Sequence, residues 1–245
     1  MIALRCAEVA FAYPEQPELF SALNFSVHTG ERVGIIGANG AGKTTLFHLL
    51  CGLLRPQRGT IERFGNKVDH ARFSPDVGLV FQHADDQLFC PTVREDVAFG
   101  VQNLGLAPDQ VQQRVAQTLA QVGASELIDR MVHQLSGGEK RLVSIAGVLA
   151  MQPQLMLFDE PSAGLDLRNR RRLIDLLATL DLTILIASHD LELLLDLCPR
   201  LMLLDRGKLI ADGDSQQIMA NAELMQRHGQ EVPCSLRFKR ALNNA

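Results

Sequence analysis

The stretch RVGIIGANGAGKTTLFHLLCGLL, residues 32–54, decides the fold. It opens on an apolar run, Arg32 to Ile36, passes through Gly37, Gly40 and Gly42, and closes on leucines at helical spacing. Strand, glycine loop and helix in that order form the context in which GxxxxGK[ST] holds phosphate. The glycines let the backbone curl until several N–H groups point inward, and the start of the helix adds the positive end of its dipole. Lys43 is placed to neutralise β and γ phosphates, and the Thr44 hydroxyl to reach magnesium. A glycine-rich turn that only caps a helix is the bland alternative, and the lysine and hydroxyl at the required positions argue against it. Leu46, Leu49, Leu50 and Leu53 fall at i, i+3, i+4 and i+7, one apolar face, before RPQRG breaks the pattern.

Outward from this stretch, short strands are expected upstream at Ala7 to Tyr13 and Leu23 to Val27, and downstream at Val77 to Phe81. From about Pro91 to Met151 helical sequence takes over; in PDQVQQRVAQTLAQVG, Val111, Val115, Leu119 and Val122 make a narrow apolar stripe. Two buried-strand runs follow, Leu155 to Phe158 and Thr183 to Ala187, separated by a helix carrying Leu173, Leu176, Leu177 and Leu180. Alternation of strand and helix implies an α/β fold with a parallel sheet covered by helices. RLMLLD and KLIADG flank Arg206-Gly207 as a hairpin, and one helix from about Ser215 to His228 precedes a basic, polar tail. The division expected is a core of 1–90 and 151–230, an inserted helical subdomain at 91–150, and a tail at 231–245.

With 245 residues, 47% of them hydrophobic, the chain can bury a sizeable core. Its five cysteines are scattered, odd in number and never in CxxC spacing, which suits a reducing compartment rather than disulfides or a zinc site. The amino terminus shows no export signal, and the longest apolar runs fall far short of the roughly 18 residues of a transmembrane helix. The expectation is a cytoplasmic chain whose membrane role comes through a partner. A net charge of -4, one tyrosine and no tryptophan exclude a general nucleic-acid surface. Arg168, Arg170, Arg171 and Arg172 form one basic cluster, read as a solvated helix face, with anionic lipid or an acidic partner as the alternative.

Asp159 and Glu160 end the apolar strand LMLF. A strand buried on both faces carries carboxylates only at its mouth, where ligands of a parallel sheet bind. Asp159 would hold magnesium and Glu160 would act as general base toward water. A second glycine loop lies in QLSGGEKR, residues 134–141. Ser136 with Glu139 reads as a capping box, and Leu142, Ile145 and Leu149 give the next helix an apolar face, so SGG sits at another exposed helix start. Two anion loops in one chain are redundant unless they serve opposite sides of one nucleotide, which two copies arranged head to tail achieve.

These motifs resemble the nucleotide-binding subunits of ATP-binding cassette (ABC) transporters, from Tyr13 to about Gly213. LSGGEKR resembles the family signature, GANGAGKTT the Walker A loop, LMLFDE the Walker B strand and SAGLD, Ser162 to Asp166, the D-loop. Gln82 stands at the Q-loop position and His189 at that of the switch histidine. The resemblance implies a RecA-like parallel core with an amino-terminal antiparallel β subdomain and the helical insertion. It implies ATP and Mg²⁺ as ligands, with Gly37, Asn39, Gly40, Ala41, Gly42, Lys43, Thr44 and Thr45 around the phosphates and Tyr13 stacked on adenine. Ser136, Gly137, Gly138 and Asp166 would reach the partner's site. Catalysis would fall to Glu160, His189 and Gln82, and magnesium to Thr44, Gln82 and Asp159.

The segment HADDQLFCPTVREDVAFG, residues 83–100, is similar to the ATPases of energy-coupling factor importers, which take up vitamins, cobalt or nickel. There a membrane scaffold docks on two ATPases while a separate membrane protein captures substrate, and Asp85 and Asp86 would pair with scaffold arginines, or else form a solvated acidic turn. The short carboxyl terminus favours the metal-type homodimer on the cytoplasmic face of the membrane over a vitamin-type pair of different ATPases. LSGGEKR also resembles the soluble cassette ATPase of iron-sulfur cluster assembly, a reading that DDQLF opposes. A chromosome-associated or translation-factor cassette lacks support from any coiled-coil insertion or second cassette.

Overall fold

The computed structural model describes residues 1–70 and 72–243; Asn244 and Ala245, the end of the expected tail, lie outside the described residues. In chain order the strands are β1 (Ile2–Phe11), β2 (Phe20–His28), β3 (Arg32–Ile36), β4 (Arg58–Arg63), β5 (Asn66–Lys67), β6 (Val77–Val80), β7 (Leu155–Asp159), β8 (Thr183–Ala187), β9 (Arg200–Asp205) and β10 (Lys208–Asp214). The α-helices are α1 (Lys43–Cys51), α2 (Val93–Asn103), α3 (Pro108–Gln121), α4 (Gly137–Leu149), α5 (Leu167–Thr179), α6 (Leu191–Leu197), α7 (Ser215–Ala220), α8 (Ala222–Arg227) and α9 (Cys234–Asn243). The chain forms two compact units, Met1–Phe73 with Asp181–Ala245, and Ser74–Leu180.

The first unit holds an antiparallel sheet in the order β2-β1-β4-β5 and a second set in which β3 pairs in parallel with both β8 and β9, with β10 antiparallel to β9. Strands β3 and β8 are apolar and almost wholly buried, as strands covered on both faces must be. β1 starts five residues earlier than its sequence suggests, because the alternation breaks at Glu8, which sits at φ 52° in a register shift between Cys6 and Val9. Asn24 holds this bulge: its Oδ1 accepts from Glu8 N at 2.9 Å and its Nδ2 donates to Glu8 Oε1 at 2.6 Å. β4, RGTIER, is charged and glycine-containing, and reads as a breaker until it is seen paired to β1. The expected hairpin turns through Arg206 and Gly207, both at positive φ, as a two-residue turn requires.

Two helical expectations need correction. Gly52, at φ 86°, ends α1 in the left-handed conformation, so Leu53 leaves the apolar face and is 63% exposed, while Leu46, Leu49 and Leu50 are buried. The single helix expected over 215–228 is two, because Asn221 closes α7 and caps α8, its side chain accepting from Leu224 N at 3.1 Å. Part of the expected tail forms α9.

The second unit pairs β6 and β7 in parallel and carries α2, α3, α4 and α5. Val111, Val115, Leu119 and Val122 are buried as their spacing suggests, and so are Leu142, Ile145 and Leu149 of α4. Close packing of β6 on α4 depends on Gly78, where a Cβ would stand 2.2 Å from Val148 Cγ1. No helix among the described residues is long and apolar enough to cross a membrane.

Candidate functional site

In the first unit the loop from Gly37 to Gly42 joins β3 to α1. A side chain at Gly37 would collide with Leu204 O at 2.4 Å, and one at Gly42, φ 102°, with Phe20 Cζ at 2.6 Å. The loop is therefore built of backbone, with Ala41 N closing on Ala38 O at 3.1 Å and α1 beginning directly behind it. No acidic residue stands in the first turn of α1, so the helix itself does not offset the positive end of its dipole. Lys43 is 8% exposed; its ammonium donates to Gly37 O at 2.8 Å and lies 3.2 Å from His189 Nε2. The same histidine nitrogen is 3.0 Å from Asn39 Oδ1. Lys43 and Asn39 of this loop thus meet His189, 146 positions beyond Lys43, over one glycine cradle. Thr44 is exposed, whereas Thr45 is buried with its hydroxyl 3.0 Å from Tyr13 OH. Tyr13 packs edge-on against Phe11, ring centroids 5.0 Å apart. Gly40 and Ala41 complete the loop, Gly40 at φ 79°.

These features fit a triphosphate: a backbone cradle, one buried ammonium and a helix start, all of one electrostatic sign.

The second unit carries the remaining expected groups. β7 is buried along its length and delivers Asp159, 4% exposed, to its carboxyl end. Glu160 follows in the left-handed region at φ 45°, a strained position for a residue with a Cβ and one found preferentially at functional sites. Asp166 caps α5: its Oδ1 accepts from Asn169 N at 2.7 Å and its Oδ2 from Asn169 Nδ2 at 3.0 Å. Asn169 in turn backs the signature loop, since a Cβ on Gly138 would stand 2.5 Å from Asn169 Cγ. Asp166, Asn169 and Gly138 thereby pack closely together within this unit.

Ser136 and Glu139 form the expected capping box: Ser136 N and Oγ donate to Glu139 Oε2 at 2.7 and 2.8 Å, and Ser136 Oγ accepts from Glu139 N at 3.4 Å. The bonds from Ser136, and then Arg130 and Arg172, hold the Glu139 carboxyl below its ordinary pKa. Gly137 is exposed, and a Cβ built there meets nothing within 4 Å among the described residues. Gln82 is also exposed at the end of β6. Asp85 pairs with Lys140 at 2.5 Å, so one of the two acidic residues already has a partner within the chain.

Sequence reasoning missed three residues here: Arg141, Gln87 and Asn169. Arg141 is 4% exposed and donates to Phe81 O at 2.6 Å and to Gln82 O. Gln87 accepts from Phe81 N at 3.1 Å and donates to Ser144 O at 3.0 Å. A signal for Arg141 existed: it shares a helix face with Ser144, Ile145 and Val148, and a charge in such a stripe is either paired or pinned. In the arginine cluster, Arg172 donates to Gly123 O.

Residues 20–163 match the family described as ABC transporter. A putative ABC transporter ATP-binding protein of Synechocystis sp. is 50% identical over 235 residues, 96% of this chain and 83% of its own. The energy-coupling factor transporter ATP-binding protein EcfA of Methanothermobacter thermautotrophicus is 45% identical, over 95% of this chain and 77% of its own. Among solved structures, cbiO1 from Clostridium perfringens, part of the ABC transporter complex cbiONQ, superposes with a TM-score of 0.83 at 32% identity, covering 98% of this chain and 99% of that one.

Proposed function

The chain belongs to the ABC transporter family, and on that premise we propose that it is the ATP-hydrolysing subunit of an energy-coupling factor importer, working as a homodimer that closes around two ATP molecules. ATP binding and ATPase activity coupled to transport come with the family. The observation that carries the finer reading is the pairing of a complete phosphate cradle around Lys43 and His189 with a second helix start, at Gly137, that faces open space among the described residues. A second nucleotide contact is thus left for another copy to supply.

Under this reading Lys43 neutralises phosphate charge while water attacks the γ phosphorus. The bond to the ADP oxygen breaks, and the proton of the water passes to the Glu160 carboxylate. His189 holds the water in line. Thr44, Asp159 and Gln82 would hold magnesium, which neutralises charge on the phosphates when bound. Tyr13 offers a ring to adenine, and Asp166 lies at the surface that faces the twin copy.

Attachment to a membrane scaffold we assign to the face carrying Asp85, Asp86, Phe89 and Phe99. Phe89 and Phe99 are exposed and stack edge to face at 4.8 Å, an apolar pair beside an acidic turn. Residues 91–150 act as the helical subdomain, and the protein sits on the cytoplasmic membrane face through its partners. Cobalt or nickel is the cargo we favour over a vitamin; likeness to cbiO1, part of the ABC transporter complex cbiONQ, along nearly the whole of both chains supports work inside a multi-subunit transporter.

The test is Glu160→Gln, purified as the chain alone. It is expected to bind ATP, to turn over about a hundredfold or more slower, and to double its mass in light scattering only when ATP is present. Hydrophobic membrane subunits should co-purify with the wild type. A chain that stays monomeric with ATP, or that associates only with soluble proteins, refutes the reading.

A further inference from the structure

Arg141 is a buried guanidinium with no carboxylate partner among the described residues, and its Nε has no acceptor among them. Burial of that kind costs free energy unless specific acceptors compensate it, and burial does depress its basicity. The acceptors are two consecutive main-chain carbonyls, Phe81 and Gln82, at the carboxyl end of β6. Dependence is mutual, because Gln82 O and Phe81 O lie beyond the strand ladder and need a donor. Gln87 adds a second strap, joining Phe81 N to Ser144 O of α4. Lys140 with Asp85 adds a third on the surface. All three straps run from the segment 81–87 to the first two turns of α4, the helix that begins at the signature glycines.

We propose that Arg141, assisted by Gln87, is a positioning residue that makes Gln82 and the Ser136–Gly138 loop move as one body, so that a displacement of the segment after Gln82 is delivered to the nucleotide contact of the twin copy. The guanidinium is required for its fork: two donors fixed in one plane hold two carbonyls in a set relation, whereas an ammonium is a single point that allows either carbonyl to swing. Its consequence for turnover rests on the ATPase reading above; the mechanical linkage does not.

The diagnostic variant is Arg141→Lys, which keeps the charge and removes the fork. Amide hydrogen exchange and ATPase kinetics are measured side by side on the full chain. Exchange in 81–88 is expected to quicken about tenfold or more, while β7 and α3 keep their protection. kcat falls about tenfold or more with KM for ATP held within about twofold, since a misplaced contact damages the transition state more than nucleotide binding. If Arg141→Lys does not fold, Gln87→Leu removes the second strap and leaves Arg141 in place, with the same signature expected at smaller amplitude. Unchanged exchange in 81–88 overturns the proposal. So does faster exchange spread evenly over 74–180 with activity lost in step with folded protein, which marks a purely structural role. A wild type without ATPase activity defeats the function assigned above, and the exchange result still decides the linkage.

Discussion

Replacing Gly137 by alanine separates what this chain needs for itself from what it offers to a second copy. Gly137 is the first residue of α4, its φ lies outside the left-handed region, and an added Cβ meets no atom within 4 Å among the described residues. Within one chain the methyl group therefore has no steric cost. It restricts the unfolded chain and suits a helix, which is worth about 0.4–1 kcal/mol of added stability, or a rise in Tm of about 1–4 °C. A nucleotide held by a twin copy changes this balance, because the phosphates must approach the backbone N–H groups at this helix start and a methyl stands in the way. Turnover is then expected to fall about tenfold to a hundredfold while Tm rises. Differential scanning fluorimetry without nucleotide and a phosphate-release assay with it read the two effects on the same preparation. Full turnover in Gly137→Ala refutes the shared-nucleotide reasoning outright. A lowered Tm refutes the reading of open space. Gly138→Ala is the contrast, since its Cβ would stand 2.5 Å from Asn169 Cγ and disturb the Asp166 cap in the isolated chain.

Further outcomes are open to measurement. Changing Asp85 and Asp86 together to lysine should leave ATP affinity within about twofold and weaken retention of the membrane scaffold on an affinity column; removing the exposed Asp85–Lys140 pair itself costs about 0–1 kcal/mol, and undiminished retention discards the contact. The Glu139 carboxyl lies below its ordinary value of 4.5, so the stability of its cap is present above that value and is lost as pH falls through the lower folded value. Acid titration followed by amide exchange at Ser136 should show the cap opening only in that window. Glu139→Gln, which keeps a capping side chain without the charge, should remove the pH dependence, and an unchanged acid transition in that variant counts against the assignment.

Much of the site was legible because its chemistry is local. The phosphate loop, the Asp159-Glu160 pair and the Ser136 cap each lie within a few residues, and each needs particular residue types at fixed spacing: glycine where a Cβ would strike backbone, a hydroxyl or carboxylate where helix N–H groups await an acceptor. Contacts across the chain were not legible. Nothing near Asn24 announces that its amide holds the bulge at Glu8, and β4 carries too much charge to read as a strand until β1 pairs with it. Leu53 kept its helical spacing and lost its helix, because the left-handed Gly52 stops α1 one residue earlier. Asn221 in the same way turned one expected helix into two.

By itself the sequence determined the α/β alternation, both glycine loops and the buried parallel strands, since periodicity and spacing act over one or two turns of chain. Only the tertiary structure decided that Lys43 meets His189, that Asn169 backs Gly138, and that Arg141 spends its charge on two carbonyls. Those choices depend on which elements pack side by side. A hydrogen bond between residues 60 or 146 positions apart leaves no pattern along the chain that joins them.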